Sequence, residues 1–346
     1  MSPQIQSSQQ KIFEQTLLTI AIPTFNRNES LNRTLERLLP QLTPEIRLVV
    51  IDNASDVPIA ETSREILNSA SPDRVTLLRN RANLGGNANI LRCVEASLSE
   101  FVWILGDDDY ILPNAVQTIL NSLKLYQDAW FLEFSTSKTL RTVTVESTGV
   151  DEFVKNIQDF GCTLFISTTV YRVDVFLKKL NVGYHYAYAM APHIAVLMSA
   201  LQMDGKAYFL PERIVEINVP QGEQQWPTLR WGLGVMTLLE LDMLPNTRRT
   251  LAKKILQGSA PMEWLVWQLL LNSADGRKND WSIFVFRQLV SRVWCYNKKP
   301  WHIARVYLYS LMLHFPGASL WLISFVRRLL GKGRQGKEVQ DMYARL

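Results

Sequence analysis

Residues 101–113, FVWILGDDDYILP, decide how the rest of the chain is read. Phe101 to Leu105 have the composition of a buried strand, and the run stops abruptly at Gly106 and three consecutive aspartates. Asp107, Asp108 and Asp109 at the end of such a strand repel one another unless a cation sits among them. A hard divalent ion with oxygen ligands is the usual remedy, and a solvated acidic turn is the alternative.

Upstream, Leu17 to Ile22 reads as another buried strand, closed by Pro23 and the loop PTFNRNES. Ser30 can cap the helix that follows, with Leu31, Leu35, Leu38, Leu39 and Leu42 on one face. Arg47 to Ile51 is a second strand, broken by Asp52, Asn53, Ala54 and Ser55. A helix over about Ile59 to Ser69 leads to a third strand, Val75 to Leu78, and the turn NLGGNAN, Asn83 to Asn89, opens a helix to about Leu98. Apolar strands alternating with helices imply an α/β fold with a mostly parallel sheet covered on both faces. The loops at Thr24 to Arg27, Asp52 to Ser55 and Asp107 to Asp109 then meet at one edge, where open sheets of this kind bind ligands. No GxGxxG follows the first strand and no GxxxxGK[ST] occurs, which counts against a dinucleotide-binding dehydrogenase and a P-loop NTPase.

PTFNR, IDNAS, NLGGNAN and the aspartate cluster with ILPNA, in this order on these elements, resemble the successive motifs of family 2 glycosyltransferases over residues 17–123. The GDDD version most resembles bacterial polysaccharide enzymes that add abequose, rhamnose or similar sugars. The resemblance implies the GT-A fold and an inverting transfer from a nucleotide-diphosphate sugar to a glycan or lipid-linked acceptor, assisted by Mg²⁺ or Mn²⁺. It implies further that Pro23, Thr24 and Phe25 line the base pocket, that Asp52 accepts from the base or ribose, and that Arg27 and Asp107 face the donor. For Asp52 and Phe25 the alternatives are a turn cap and a core plug. The family pattern is Asp-x-Asp-Asp, and Gly106 stands in its first position. Either Asp108 keeps the metal-binding role or Asp107 and Asp109 form a shifted Asp-x-Asp.

Beyond Leu123 the resemblance thins. Residues 130–134 and 140–145 alternate like strands, Asp151 can cap a helix to Phe160, and Gly161 to Arg172 reads as a strand entering a Ser/Thr turn. Many relatives carry a Glu-Asp pair as general base in the next helix, and none stands here. His193, at the start of that helix, is the candidate base, because imidazole titrates near neutrality. His185 and Asp204 are weaker candidates, and a helix-start histidine bonded to a carbonyl is the structural alternative. The missing acidic pair also keeps open a rival function, a nucleotide-sugar-binding scaffold without transfer activity.

At 346 residues the chain exceeds what one core usually supports. The expected division is a tail (1–16), a GT-A domain (17–225, with donor half 17–123 and acceptor half 124–225) and a helical region with a basic tail (226–346). Met1 to Lys11 lacks an apolar core, so a cytoplasmic chain is expected. The three cysteines show no CxxC spacing and build neither a disulfide framework nor a zinc site. The net charge of +5 is concentrated from Arg277 to Arg345 and implies an anionic partner; the aromatic company of these charges favours lipid headgroups over nucleic acid. Val306 to Val326 carries no charged residue yet is broken by Pro316-Gly317. The segment is expected either to lie in the interface at the inner face of a membrane, flanked by Arg305, Arg327, Arg328, Lys332 and Arg334, or to form an ordinary buried helix pair.

Overall fold

A computed structural model describes residues 16–68, 74–216, 234–258, 266, 269–271, 283–284, 286–288 and 300–329. The expected N-terminal tail, apart from residue 16, and the basic tail after 329 lie outside these residues. The chain divides into two units, residues 1–225 with 240–258, and residues 226–239 with 259–346.

The first unit begins with the expected alternation: β1 (Leu18–Thr24), α1 (Asn28–Leu38), β2 (Ile46–Asp52), α2 (Ile59–Thr62), α3 (Arg64–Asn68), β3 (Val75–Arg79), α4 (Gly86–Glu95) and β4 (Phe101–Ile104). Helix α1 starts two residues before Ser30, because the Leu31 N–H already bonds the Arg27 carbonyl at 2.9 Å. Its Leu31, Leu35 and Leu38 are fully buried, as their spacing requires. The helix expected over 59–69 is two short pieces broken at Ser63.

Then follow β5 (Tyr110–Ile111), α5 (Ala115–Leu125), β6 (Ala129–Phe134), β7 (Val145–Thr148), α6 (Gly149–Asn156), α7 (Phe160–Thr163), β8 (Thr169–Arg172), α8 (Val173–Lys178), α9 (Leu180–His185), α10 (Pro192–Leu201), β9 (Lys206–Leu210), β10 (Val215–Glu216) and α11 (Pro245–Gly258). Over 161–172 the expected order is reversed: Asp159 caps α7 by accepting the Cys162 N–H, a turn at Ile166–Thr168 follows, and the strand comes last. Helix α11 packs on α6 and α7, with its Thr247 hydroxyl on Asp151 and its Lys254 on the Ile157 carbonyl. The expected boundary at 225 is therefore crossed back by this helix.

Eight strands form one sheet in the order β3-β2-β1-β4-β8-β6-β9-β7, and β5 pairs with β10 in a small ribbon. Strands β1 to β4 are mutually parallel, β8 is antiparallel to both β4 and β6, β9 is parallel to β6, and β7 is antiparallel to β9. The sheet is thus mixed. The connection from β4 through α5 leaves β6 one strand away, and β8 fills the gap from the opposite direction. This topology fixes the edges: the carboxyl ends of β1, β2, β4 and β6 share one edge with the start of β8, and the turns before β9 lie at the other. Burial is nearly complete along β1, β2 and β4, and Trp103, Phe101, Phe131 and Tyr171 are among the largest fully enclosed side chains.

In the second unit, α12 (Pro300–His314) and α13 (Pro316–Leu329) meet at Phe315 with a bend of 110° between Ala304–His314 and Pro316–Phe325. Among the described residues, no single helix is long and apolar enough to cross a membrane.

Candidate active site

The loop after β4 turns sharply at Gly106 and distributes its three carboxylates in different directions. Asp107 is buried; it accepts from the Thr24 hydroxyl at 2.7 Å and from Arg27 Nη1 at 3.1 Å, while its carbonyl accepts from the Thr34 hydroxyl at 3.0 Å. Asp108 is half-exposed and accepts from the same Arg27 Nη1 at 2.7 Å. One guanidinium nitrogen thus bridges two carboxylates from different residues, marking a position where a cation is favoured. Burial works against the Arg27 charge, but Asp107 and Asp108 more than offset it and its pKa is raised. Asp107 is raised by burial, opposed by the Thr24 hydrogen bond and by Arg27.

Asp109 does not join them. Its carboxylate accepts from the Ser167 hydroxyl, whose oxygen in turn accepts the Gly106 N–H at 2.8 Å. Burial pushes Asp109 up to about 7, against the Ser167 hydrogen bond. The same geometry explains Gly106: a Cβ there would stand 2.3 Å from Asp109 Oδ2 and 3.1 Å from its Cγ. A side chain at 106 would require the Asp109 carboxylate to move from its place against Ser167.

The neighbouring loops are tied to this edge. Asn26 adopts a positive φ of 53°, and it donates its N–H to Ser55 Oγ at 2.9 Å and its side-chain amide to Asp56 at 2.9 Å. Asp52 is fully buried and spent on its own turn: it accepts from the Ser55 N–H at 2.8 Å and pairs with Arg79. Burial would raise its pKa, but the Ser55, Arg79 and Ile59 hydrogen bonds together hold it below the usual carboxylate range. Buried Asn53, Asn80 and Asn89 and exposed Asn83 form a chain of amide hydrogen bonds of 2.8–2.9 Å that fixes the NLGG turn to this loop. Pro23 is half-buried and Phe25 is exposed at the mouth. A groove of about 620 Å³ opens here, lined by Asn26, Arg27, Asn28, Arg33, Asp56 and Asp108 among others. A second cavity of about 400 Å³ on the far side of Arg33 and Asp108 is lined by Arg37, Tyr110 and Glu216.

The three base candidates differ in place and depth. His193 lies near the correct edge but beneath it: the side chain is 2% exposed and Nε2–H donates to the Leu164 carbonyl at 3.1 Å. Its Nδ1 is buried without a hydrogen-bond partner, and burial pushes the imidazole down to about 4. It is a core histidine in this structure. Asp204 precedes β9 and so stands at the opposite edge of the sheet from the aspartates. His185 closes α9, its ring 5.4 Å from that of Tyr186.

The sequence reading missed Ser167 and Glu133. Glu133, at the carboxyl end of β6, is buried with Oε2 unpaired and is pushed up to about 7 by burial, against a Thr163 hydrogen bond and Arg141. Its one signal is an acid inside the otherwise apolar run AWFLEF.

Residues 19–132 match the family model described as Glycosyl transferase family 2. The match covers about a third of the chain. The chain is 30% identical over 111 residues to the abequosyltransferase RfbV of Salmonella typhimurium, covering 31% of this chain and 33% of that protein. It is 24% identical over 241 residues to the undecaprenyl-phosphate 4-deoxy-4-formamido-L-arabinose transferase of Proteus mirabilis, 66% of each chain. The aligned regions with the first curated relatives span about a third of those proteins' length. Among solved structures, residues 1–349 of S. aureus TarS in complex with UDP superpose with a TM-score of 0.59 at 16% identity over 88% of each chain. The architecture matches the GT-A fold of those structures, with the aspartate loop at the carboxyl ends of the parallel strands.

Proposed function

We propose that the protein is a glycosyltransferase that moves a sugar from a nucleotide-diphosphate donor onto a glycan or lipid-linked acceptor in cell-surface polysaccharide synthesis, with inversion at the anomeric carbon. The observation that carries the reading is the shared cation position of Asp107 and Asp108 beside a groove of nucleotide-sugar size. The family match and the abequosyltransferase relative support it.

The donor set also fits a divalent ion. Among the described residues no three acidic, histidine or cysteine side chains converge, so the protein offers two carboxylates, and Mg²⁺ or Mn²⁺ is commonly held by one or two carboxylates with substrate phosphates completing the shell. Asp108, half-exposed to the groove, and Asp107 would hold it, and a bound ion would supply charge neutralisation for the departing diphosphate. Arg27 already supplies a positive charge at that place. Thr24 fixes the rotamer of Asp107 and Ser167 keeps Asp109 out of the way. The latch of Asn26 on Ser55 and Asp56 holds the first two loops in register for the nucleotide.

A second reading, a donor-binding scaffold without transfer, is favoured by one observation: neither His193 nor Asp204 is exposed at the aspartate edge. Calorimetry with nucleoside diphosphates separates binding from its absence. Affinity should fall with EDTA, return with Mn²⁺, and drop at least tenfold in Asp108→Asn. Arg27→Gln should strengthen Mn²⁺ binding without nucleotide, because the competing guanidinium is gone, and weaken nucleotide binding. Metal-independent nucleotide binding of equal strength in parent and Asp108→Asn would overturn the assignment. Release of nucleoside diphosphate from donor sugars in the presence of membrane extract decides between transfer and scaffold.

A further inference from the structure

The outer side of the α12–α13 hairpin is apolar and open. Tyr307 is 74% exposed and Trp321 67%, and Leu308, Leu311, Phe315 and Phe325 are exposed with them. Leu313 and Leu320 are buried, and Ser319 ties the bend by donating its hydroxyl to the Met312 carbonyl at 3.1 Å. The hairpin therefore has an inner side that is satisfied and an outer side that is not. Trp321 and Phe325, one turn apart on α13, stack with ring centroids 5.5 Å apart and form a flat aromatic plate. Scattered apolar residues are normal on a protein surface; a run of large ones on one hairpin is the pattern of an interaction surface.

The partner's chemistry follows from charge and length. Residues 300–329 contain no Asp or Glu, while Arg305, Arg327 and Arg328 lie within them. Helix α12, with 15 residues, is about 22 Å long, short of the ~30 Å hydrocarbon layer, and the 110° bend prevents α12 and α13 from acting as one straight span. A short, bent, aromatic, cationic hairpin suits the headgroup zone, where Trp and Tyr settle and arginine meets anionic lipid. A second copy docking face to face would bring together two hairpins that each carry arginines and no acid. We infer that the outer face of the α12–α13 hairpin docks in the headgroup zone of an anionic lipid bilayer, through Trp321, Phe325, Tyr307 and Phe315. This goes beyond the transferase reading and does not depend on it.

Co-sedimentation of the full chain with vesicles tests the inference. Binding is expected to phosphatidylglycerol/phosphatidylcholine vesicles and to be much weaker with phosphatidylcholine alone. Trp321→Ala with Phe325→Ala should weaken it roughly tenfold or more, since two large aromatic side chains lose their burial in lipid. Arg327→Gln with Arg328→Gln should lower the preference for anionic vesicles by roughly thirtyfold, from about 1 kcal/mol for each of the two charges at such a surface. Trp321 and Phe325 are exposed, so the first variant should keep the parent's circular dichroism and nucleotide affinity, which shows that any loss is not unfolding. No vesicle binding by the parent would overturn the inference. So would equal binding by the aromatic variant, or a dimer formed without lipid that the aromatic variant dissolves. Because nucleotide affinity is read on the same samples, failure here is distinguishable from failure of the transferase reading.

Discussion

His193 shows how a residue can be in the right place along the chain and at the wrong depth. Its position at the start of α10 was legible, since Pro192 opens the helix, but sequence does not say which helix face the sheet covers. The ring is enclosed, donates to Leu164 and faces Tyr171 edge-on at 6.4 Å. His193→Asn is therefore expected to lower stability by about 1–3 kcal/mol, the cost of disturbing a buried polar group. Whatever donor turnover the parent shows should persist per folded molecule, and a loss of several orders of magnitude in a fully folded variant would restore the base assignment. Gly106 makes a second prediction at this scale. Gly106→Ala must drive Asp109 off Ser167 and should cost about 1–3 kcal/mol, as overpacking does. In an Asp109→Ala background the added methyl has room, so the cost should largely vanish in a double-mutant cycle followed by denaturant unfolding. Equal cost in both backgrounds would mean that the strain lies in the backbone and not against Asp109.

Strands β1, β2 and β4 were legible because a strand buried on both faces is apolar throughout, and their apolar runs stop at Pro23, Asp52 and Gly106. The acceptor half was not, because its elements are held by contacts distant in sequence. Strand β8 is recognisable only once its place between β4 and β6 is known, and Asp159 capping α7 decides the local order against the apolar pattern. The seam that β8 creates also gathers two raised carboxyls, Asp109 beside Ser167 and Glu133 opposite Thr169. Both are pushed up to about 7 by burial, from 3.8 and 4.5. For acids raised in the folded state, the stabilising contribution is complete below the unfolded value and is lost as pH climbs through the folded one. The melting temperature should consequently fall from about pH 4 to above pH 7 through these groups. Asp109→Asn with Glu133→Gln should flatten that slope, and an unchanged slope by scanning calorimetry would show that neither group stays protonated in the fold.

At the scale of the whole molecule, residues 240–258 fall with the sheet and not with the rest of the expected C-terminal region. Helix α11 belongs with the sheet because Thr247 and Lys254 reach Asp151 and the Ile157 carbonyl, partners that local sequence does not reveal. The meeting of Thr24, Arg27 and Asp107 at one edge was readable, since they follow strands whose direction the alternation fixed. The pairing of Gly106 with Asp109 bears finally on the descent of such chains. Glycine and aspartate codons differ by a single base, so the supply of mutations does not keep an aspartate out of position 106. The obstacle is the carboxylate already lodged against Ser167. Asp-x-Asp-Asp keeps an aspartate at the position of Asp109, so a lineage moving to that pattern keeps the residue and must turn its carboxylate away from Ser167 as the new side chain arrives.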